Sequence, residues 1–400
     1  MQNTQKSLIN EINRSTRAIS VPAMAFCILL ALILGITPVL PSELTRVFRP
    51  VVIALCFIIP GKYSYKANKT IWVFGIYLFY MTLVYLSHSS LTATFNDWMS
   101  AMLFGAFFIV VSQRMWGQRE INLLLITAFA ASTCYAGLLH YYNHDLLRSA
   151  SNIVFHGEHV NSNAGAYTIA PGALCGVILF LFRKKGGRNG TIKKVVLLVG
   201  ISLCFYTLVC LGSRGGFFTS AIGTAMMVWE KCGMAGSQKT KHRVILILVI
   251  ALGLIFAPRL TEGTHAERLF DYEHLTDDNG RDELNERAKE LIAQKPVFGG
   301  GYGYWENESG EQLGLHNGFL YIMCIGGYAA GILLGLFFIY LFFEIAKNRS
   351  LIPLAFLFVA ILHLVEDSGL DYFSYIPMIL AYILARNAQF RGYKVSDVVL

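Results

Sequence analysis

The sequence has few charged residues for its length. Asp, Glu, Lys and Arg make up 14% of the 400 residues, whereas hydrophobic residues make up 55%. Soluble domains carry about 25% charged residues, so this composition excludes an ordinary water-exposed surface. Apolar segments that can cross a hydrocarbon core of about 30 Å recur along most of the chain. We therefore expect a polytopic integral membrane protein.

The sequence also lacks the motifs of several common sites. It has no CxxC pair and no cysteine–histidine cluster with the spacing of a zinc site. The glycines at 299–301 are not part of the GK[ST] pattern that a phosphate-binding loop needs. Seven of the eight cysteines fall in predicted spans and Cys232 in a predicted inner loop, which excludes a disulfide framework. We expect no cofactor and no metal.

Hydropathy predicts about twelve transmembrane helices. They lie near 18–38, 48–61, 70–87, 97–112, 121–140, 164–182, 195–211, 216–229, 244–258, 317–343, 350–365 and 372–385. The segments 48–61, 97–112 and 216–229 are short enough to be tilted or partly re-entrant. The predicted fold is an all-α polytopic membrane protein, with residues 1–400 as a single integral membrane domain. A large, partly helical loop, 259–316, separates spans nine and ten.

The basic residues predict the orientation of these spans. With a cytoplasmic N-terminus, 23 of the 33 Lys and Arg residues lie on the inner side, and 20 of the 25 Asp and Glu residues lie outside. The segment RKKGGRNGTIKK (183–194) contributes most to this asymmetry, and cytoplasmic loops retain positive charge. We expect both termini inside and the loop 259–316 outside. The net charge of +8 then reflects topology, so we expect no nucleic-acid partner.

The long outer loop contains one predicted helix, RDELNERAKELIAQKP (281–296). Its apolar residues recur at helical spacing and its stop is marked by a proline; these residues are Leu284, Ala288, Leu291, Ile292 and Pro296. The apolar stripe should lie against the outer face of the bundle or on other loops. We interpret the following VFGGGYGYW (297–305) as a flexible turn that lets the backbone pass close to the membrane.

Arg214 is the first candidate for a functional role. It lies in LVCLGSRGGFFTS (208–220), in a short loop between two apolar segments. Arginine at membrane depth is costly, so it should face a cavity or a partner. Snorkelling of the side chain to the interface is the alternative. Gly212, Gly215 and Gly216 would allow the backbone to approach whatever the guanidinium binds.

Histidines and carboxylates at other outer ends are further candidates. His316 and Asn317 precede an apolar run, and a helix cap would account for Asn317 alone. The segment HGEHVNSNAGAY (156–167) contains three residues that could bind a metal ion, His156, Glu158 and His159. Three such residues within four positions are a weak indication of a metal site. A solvated loop or a substrate groove is the favoured interpretation. The segment HLVEDSGLDYFSY (363–375) contains His363, Glu366, Asp367 and Asp371. These polar side chains are compatible with a substrate groove or with an ordinary polar outer surface.

The side-chain chemistry of Arg214, Arg281 and His316 suits a phosphate-bearing substrate. The planar fork of arginine binds pairs of phosphate oxygens and keeps its charge. Histidine titrates near neutral pH and can take a proton from a sugar hydroxyl. Guanidinium groups can also stabilise a departing diphosphate without a metal.

Three segments resemble the signatures of the O-antigen ligase and O-antigen polymerase superfamily. These membrane glycosyltransferases use undecaprenyl-diphosphate-linked glycans. The segments are SRGG, GRDELNERAKELIAQKPVFGGGYG and HNGFLYIMCIGGYAAGI, in that order. The resemblance covers residues 195–345 by motif and the whole chain by topology. It implies a multi-pass protein of the bacterial inner membrane with a periplasmic active site.

The resemblance implies a role for each candidate residue. Arg214 and Arg281 would bind the donor diphosphate, and His316 would activate the acceptor hydroxyl. The candidate substrate-groove residues are His156, His159, Asn161, Asn317, Glu366 and Asp367. The implied partners are an undecaprenyl-diphosphate-linked glycan, membrane lipid, and an acceptor that is lipid A-core or a lipid-linked repeat unit. The implied reaction is a metal-independent, inverting glycosyl transfer.

The acceptor distinguishes two enzymes that share this chemistry. A ligase moves a finished polymer to lipid A-core, and a polymerase moves a growing chain to the next repeat unit, with a chain-length regulator as a further partner. We prefer the ligase, although HVNSNAGAY (159–167) gives some support to the polymerase. A lipid-linked glycan transporter would instead require charged residues in mid-span, discontinuous helices and inverted repeats.

Overall fold

The structure, a computed structural model, describes most of the predicted spans. It describes residues 20–36, 51, 54–55, 58, 66–88, 94–143, 146, 153–155, 158–159, 161–182, 188–234, 238, 240–248, 259, 261–270, 281–309, 315–366 and 372–391. Most residues of the predicted spans 48–61 and 244–258 lie outside these residues. The statements below concern the described residues alone.

The described elements are almost all helical. They are α1 (Val21–Ala31), α2 (Lys69–His88), α3 (Phe95–Gln113), α4 (Gln118–Tyr142), β1 (Val154–Phe155), β2 (Glu158–His159), α5 (Ser162–Phe182), α6 (Arg188–Leu211), α7 (Arg214–Gly233), α8 (Arg281–Gln294), α9 (Tyr304–Glu308), α10 (Gly318–Ala346), α11 (Leu351–Glu366) and α12 (Tyr372–Arg391). A π-helical turn, Leu32–Ile36, follows α1, and a 3₁₀ helix covers His265–Leu269. The strands β1 and β2 form a short antiparallel pair.

Six of the described helices are long and apolar enough to cross a membrane. They are α2, α3, α4, α5, α10 and the Thr191–Leu211 part of α6. The segment Val21–Gly35 and α11 are apolar but shorter. The prediction of an α-helical, multi-pass membrane protein is therefore confirmed. The number of twelve spans stays a prediction.

Contacts between helix ends show that α10 and α12 run in the same direction, and that α4 and α6 do so as well. Glu344, near the end of α10, pairs with Arg386 near the end of α12 at 2.6 Å. The basic side chain of Lys347 contacts the same carboxylate at 2.7 Å. At the opposite end, His140 of α4 lies 3.0 Å from Thr207 of α6. We call the end of the bundle that contains Glu344 and Arg386 the basic end. The end that contains His140 and Thr207, where α8 also lies, is the α8 end.

The helix α10 is interrupted near the α8 end. Gly327 has φ 65° and ψ −168°, so the helical hydrogen bonds around it are broken. An L side chain rarely adopts this conformation, and glycine adopts it without a steric penalty. A Cβ on Gly327 would also overlap the carbonyl of Val297. The break leaves backbone donors and acceptors that need partners, because an unsatisfied backbone group in an apolar environment is costly.

The glycine-rich turn after α8 supplies those partners. The backbone N–H groups of Gly300 and Gly301 donate to the carbonyls of Cys324 and Ile325, each at 2.9 Å. In return, the N–H of Tyr328 donates to the carbonyl of Pro296 at 2.7 Å. The predicted turn therefore exists and passes close to a membrane helix. It is held by backbone hydrogen bonds, which the prediction of a flexible turn did not include.

The helix α8 packs its apolar stripe on this part of the bundle. Its buried residues Ala288, Leu291 and Ile292 share a core with Trp305 and Cys324. The helix ends at Gln294, just before the predicted proline stop. The expectation that the stripe lies on the bundle and on neighbouring loop residues is confirmed.

Replacing Gly327 with alanine should destabilise the protein by about 1–3 kcal/mol, because the residue would keep a strained backbone and meet Val297. Chemical unfolding of the purified protein in mixed micelles measures this loss. Gly335→Ala, in the same helix, is the matched control, since a Cβ there meets nothing within 4 Å. Equal stability of the two variants would contradict the role of the break.

Candidate functional site

Two hydrogen bonds of Glu366 join three elements at the α8 end. The hydroxyl of Tyr167, in the second turn of α5, donates to the Glu366 carboxylate at 2.8 Å. The Nδ1 atom of His316, just before α10, lies 3.3 Å from the backbone carbonyl oxygen of Glu366. Glu366 is the last residue of α11. The starts of α5 and α10 therefore meet at the end of α11.

The motif SRGG brings the start of α7 to the same place. A Cβ on Gly215 would overlap both the Glu366 carboxylate and the Tyr167 hydroxyl, so only glycine fits there. Ser213 caps the helix, because its side chain accepts from the N–H of Gly216 at 3.4 Å. Arg214, between these residues, is half-buried. Gly215 therefore approaches a carboxylate and a phenol of this chain, and the expected approach of the backbone to a group bound by the Arg214 guanidinium stays a prediction.

The contact with Glu366 orients the ring of His316. A backbone carbonyl can only accept a hydrogen bond, so Nδ1 carries the hydrogen in this contact. In the neutral ring, Nε2 is then the proton acceptor. The side chain of His316 is half-buried. The contact therefore favours the tautomer that leaves Nε2 as the accepting atom.

Asn317 serves as the N-cap of α10. Its side-chain oxygen accepts from the N–H of Leu320 at 3.2 Å. This is the local role that the sequence suggested for Asn317. Such caps satisfy a backbone donor that the first helical turn leaves unpaired.

A cavity of about 390 Å³ lies between α8, the start of α10 and the end of α11. Its lining residues are Asp282, Asn285, Glu286, Lys289, Asn317, Phe319, Leu320 and Val365. Asn317 and Val365 are neighbours in sequence of His316 and Glu366. The cavity is therefore next to the His316–Glu366 contact.

The two candidate arginines have different surroundings. Arg214 is half-buried at the first residue of α7, and Gly215, which follows it, approaches the Tyr167–Glu366 pair. Arg281 is exposed at the first residue of α8. Its neighbour Asp282 lines the cavity together with Asn317. Both arginines thus begin helices at the α8 end.

The remaining candidates contribute less to this site. His156 and Asp367 lie outside the residues that the structure describes. His159 belongs to β2, in register with Val154 of β1. Asn161 is exposed, and its side-chain oxygen accepts from the N–H of Asn163 at 2.8 Å, so it caps the start of α5.

Tyr167 was not predicted from the sequence. It is 1% exposed, and its ring meets that of buried His363 edge-on at 4.5 Å between centroids. The Nδ1 atom of His363 is 2.9 Å from the hydroxyl of Ser374 in α12. His363 therefore packs against the ring of Tyr167 in the protein interior and does not line a groove. Nothing in the sequence distinguished this tyrosine from the other 19.

No group of three or more His, Cys, Asp and Glu residues that could hold a metal ion was found within the described part of the chain. A scan against protein-family models and a search of curated proteins found no match for the chain. The superfamily resemblance therefore depends on the three quoted motifs.

Replacing Gly215 with alanine should disrupt the site, because the added methyl overlaps Glu366 and Tyr167. Overpacking of this kind costs about 1–3 kcal/mol. Thermal unfolding of the purified protein measures the loss. Gly137→Ala is a suitable control, since a Cβ at Gly137 meets nothing within 4 Å. Stability unchanged in both variants would show that the close approach at Gly215 is unimportant.

Proposed function

We propose that the protein is a membrane glycosyltransferase that transfers a glycan from a polyprenyl diphosphate to a hydroxyl acceptor. The preferred activity is that of an O-antigen ligase, moving polysaccharide from undecaprenyl diphosphate to lipid A-core. One observation carries the proposal. The contacts of Glu366 bring the histidine of the HN motif and the SRGG motif to one end of the bundle.

His316 would act as the general base. Its Nδ1 hydrogen is engaged by the Glu366 carbonyl, so Nε2 can accept the proton of the acceptor hydroxyl. The resulting oxygen attacks the anomeric carbon from the face opposite the diphosphate, and the bond to the diphosphate breaks. The anomeric configuration is inverted, and the polyprenyl diphosphate carries away the negative charge.

Arg214 and Arg281 would bind the diphosphate. Guanidinium groups pair with phosphate oxygens in a bidentate geometry and stay charged at any physiological pH. Charge on the leaving group increases as the glycosidic bond breaks, so fixed cations stabilise the transition state more than the ground state. A half-buried position favours Arg214 for this role, because desolvation strengthens its interaction with an anion.

The proposed topology has about twelve spans in the bacterial inner membrane, with both termini cytoplasmic. The basic end would face the cytoplasm, and the α8 end would face the periplasm. The basic residues of the sequence segment 183–194 and the two cations paired with Glu344 support this orientation. The lipid donor would then enter laterally from the bilayer, with its glycan in the outer compartment.

Two alternatives are weaker. A polymerase would use the same donor site and the same base, but the Asn-rich stretch that favoured it includes Asn161, which has a helix-capping role. A transporter would have discontinuous helices, and α10 is one. However, the break at Gly327 is filled by backbone bonds from the glycine-rich turn, so it does not offer free groups to an ion.

His316→Ala should lower glycan transfer by about 100- to 10,000-fold, the usual contribution of a general base. The assay uses purified protein, the lipid-linked glycan and the acceptor, without ATP or an ion gradient. His242→Ala, near the basic end, is the control and should retain activity. Transfer at the wild-type rate by well-folded His316→Ala would exclude the proposed base.

Arg281→Ala should lower transfer by about 100- to 1,000-fold, as loss of one charge-stabilising donor does. Arg287→Ala is a matched control, because Arg287 is an exposed arginine of the same helix that pairs with Glu290 at 2.9 Å. Equal activity of the two variants would remove Arg281 from the donor site.

Deletion of the gene separates the ligase from the polymerase. Loss of a ligase leaves finished polymer on the carrier lipid. Loss of a polymerase leaves lipid A-core that carries a single repeat unit. Analysis of surface lipopolysaccharide and of the lipid-linked pool distinguishes the two, and normal amounts of both would contradict either enzyme.

A further inference from the structure

We propose that the cavity between α8 and the α10–α11 side binds the sugar part of the substrate, separately from the diphosphate. This inference depends on the proposed glycosyl transfer and adds a carbohydrate subsite to it. The cavity has a volume of about 390 Å³, within the usual range for small-molecule sites of about 300–1,000 Å³.

The sequence of α8 divides the helix into two stripes. Asp282, Asn285, Glu286 and Lys289 recur at intervals of three and four residues, so they share one face. This polar stripe lines the cavity. The apolar stripe of the same helix packs on α10 and α9 and holds the polar stripe in place. The polar wall of the cavity is therefore fixed by the packing of the helix that carries it.

The opposite wall is largely apolar. Phe319 and Leu320 come from the first turn of α10, and Val365 from the last turn of α11. Asn317 adds an amide, whose oxygen is used in capping and whose NH₂ group can still donate. A sugar ring has hydroxyls at its edge and C–H groups on its faces. Carboxylates and amides facing an apolar wall match this chemistry.

The charge of the lining argues against a diphosphate in the cavity. The lining holds two carboxylates, Asp282 and Glu286, and one ammonium group, Lys289. The formal charges of these three groups sum to −1, and the Lys289 Nζ atom lies 2.6 Å from Glu286. This sum offers no excess of positive charge to an anionic ligand, whereas a neutral sugar or an amino sugar needs none. In this proposal Arg214 and Arg281 bind the diphosphate outside the cavity.

The position of the cavity places a bound sugar next to the proposed base. Asn317 lines the cavity and follows His316 directly, while Val365 precedes Glu366. A sugar between α8 and Phe319 would therefore contact residues directly adjacent in sequence to His316 and Glu366. The proposed reaction needs such proximity, because the base takes its proton from a sugar hydroxyl.

The test uses the full-length protein in detergent and two probes. One is the free oligosaccharide released by mild acid from the cell's own polyprenyl-diphosphate-linked glycan, and the other is inorganic diphosphate. Asn285→Ala and Glu286→Gln should each weaken oligosaccharide binding by about three- to tenfold, because the first removes an amide and the second replaces a charged acceptor with a weaker, neutral one. Glu290→Gln, an exposed carboxylate of α8 outside the cavity lining, is the control and should bind like the wild type.

The sign of the Glu286→Gln effect decides between the two ligand classes. If the cavity binds sugar, this variant weakens the oligosaccharide and leaves inorganic diphosphate unchanged or slightly tighter. If it binds the phosphates, removal of a negative charge tightens the phosphate ligand and spares the sugar, which overturns the inference. No binding of the oligosaccharide by wild-type protein also overturns it.

The transfer assay separates this inference from the proposed function. Oligosaccharide binding that depends on Asn285 and Glu286 supports the subsite even when wild-type protein transfers no glycan, an outcome that would reject the enzyme alone. Transfer by wild-type protein with no effect of either variant on oligosaccharide binding would keep the enzyme and reject the subsite.

Discussion

The hydrogen bonds of Glu366 are the interaction on which the candidate site depends. The carboxylate accepts from Tyr167, and the backbone carbonyl accepts from His316, so one residue joins α11 to the starts of α5 and α10. Hydrogen bonds to a charged group contribute about 1.5–3 kcal/mol, more than neutral ones. Because Gly215 approaches the same carboxylate without a side chain, the start of α7 is fixed as well.

A second constraint, the satisfaction of backbone groups in an apolar environment, positions α8. The break at Gly327 leaves α10 with backbone groups that the turn at 296–301 satisfies. This turn follows α8 directly, so the helix cannot move away from α10 without losing those bonds. The polar stripe of α8, which lines the cavity together with Asn317, is therefore tied to α10 through the turn that follows the helix.

The sequence predicts what depends on local pattern. Apolar length predicts the spans, and helical spacing with Pro296 predicts α8 and its apolar stripe. Three features could not be predicted from the sequence: the contribution of Tyr167, the break at Gly327 and the contact of His316 with a backbone carbonyl. Each depends on a partner far along the chain, and none differs locally from similar residues nearby. Gly326, for example, precedes Gly327 in the same run, and only the packed structure shows which of them leaves the helix.

The contacts of Glu366 have a chemical consequence for the proposed reaction. An inverting transfer needs the base and the leaving group on opposite faces of the sugar. The backbone carbonyl of Glu366 accepts from His316, and its carboxylate is approached by Gly215, which follows Arg214 in the SRGG motif. One residue therefore contacts both the proposed base and the motif that carries a proposed phosphate-binding arginine. A lipid diphosphate bound at that motif would present its sugar near His316, and attack from the face opposite the diphosphate would then give inversion.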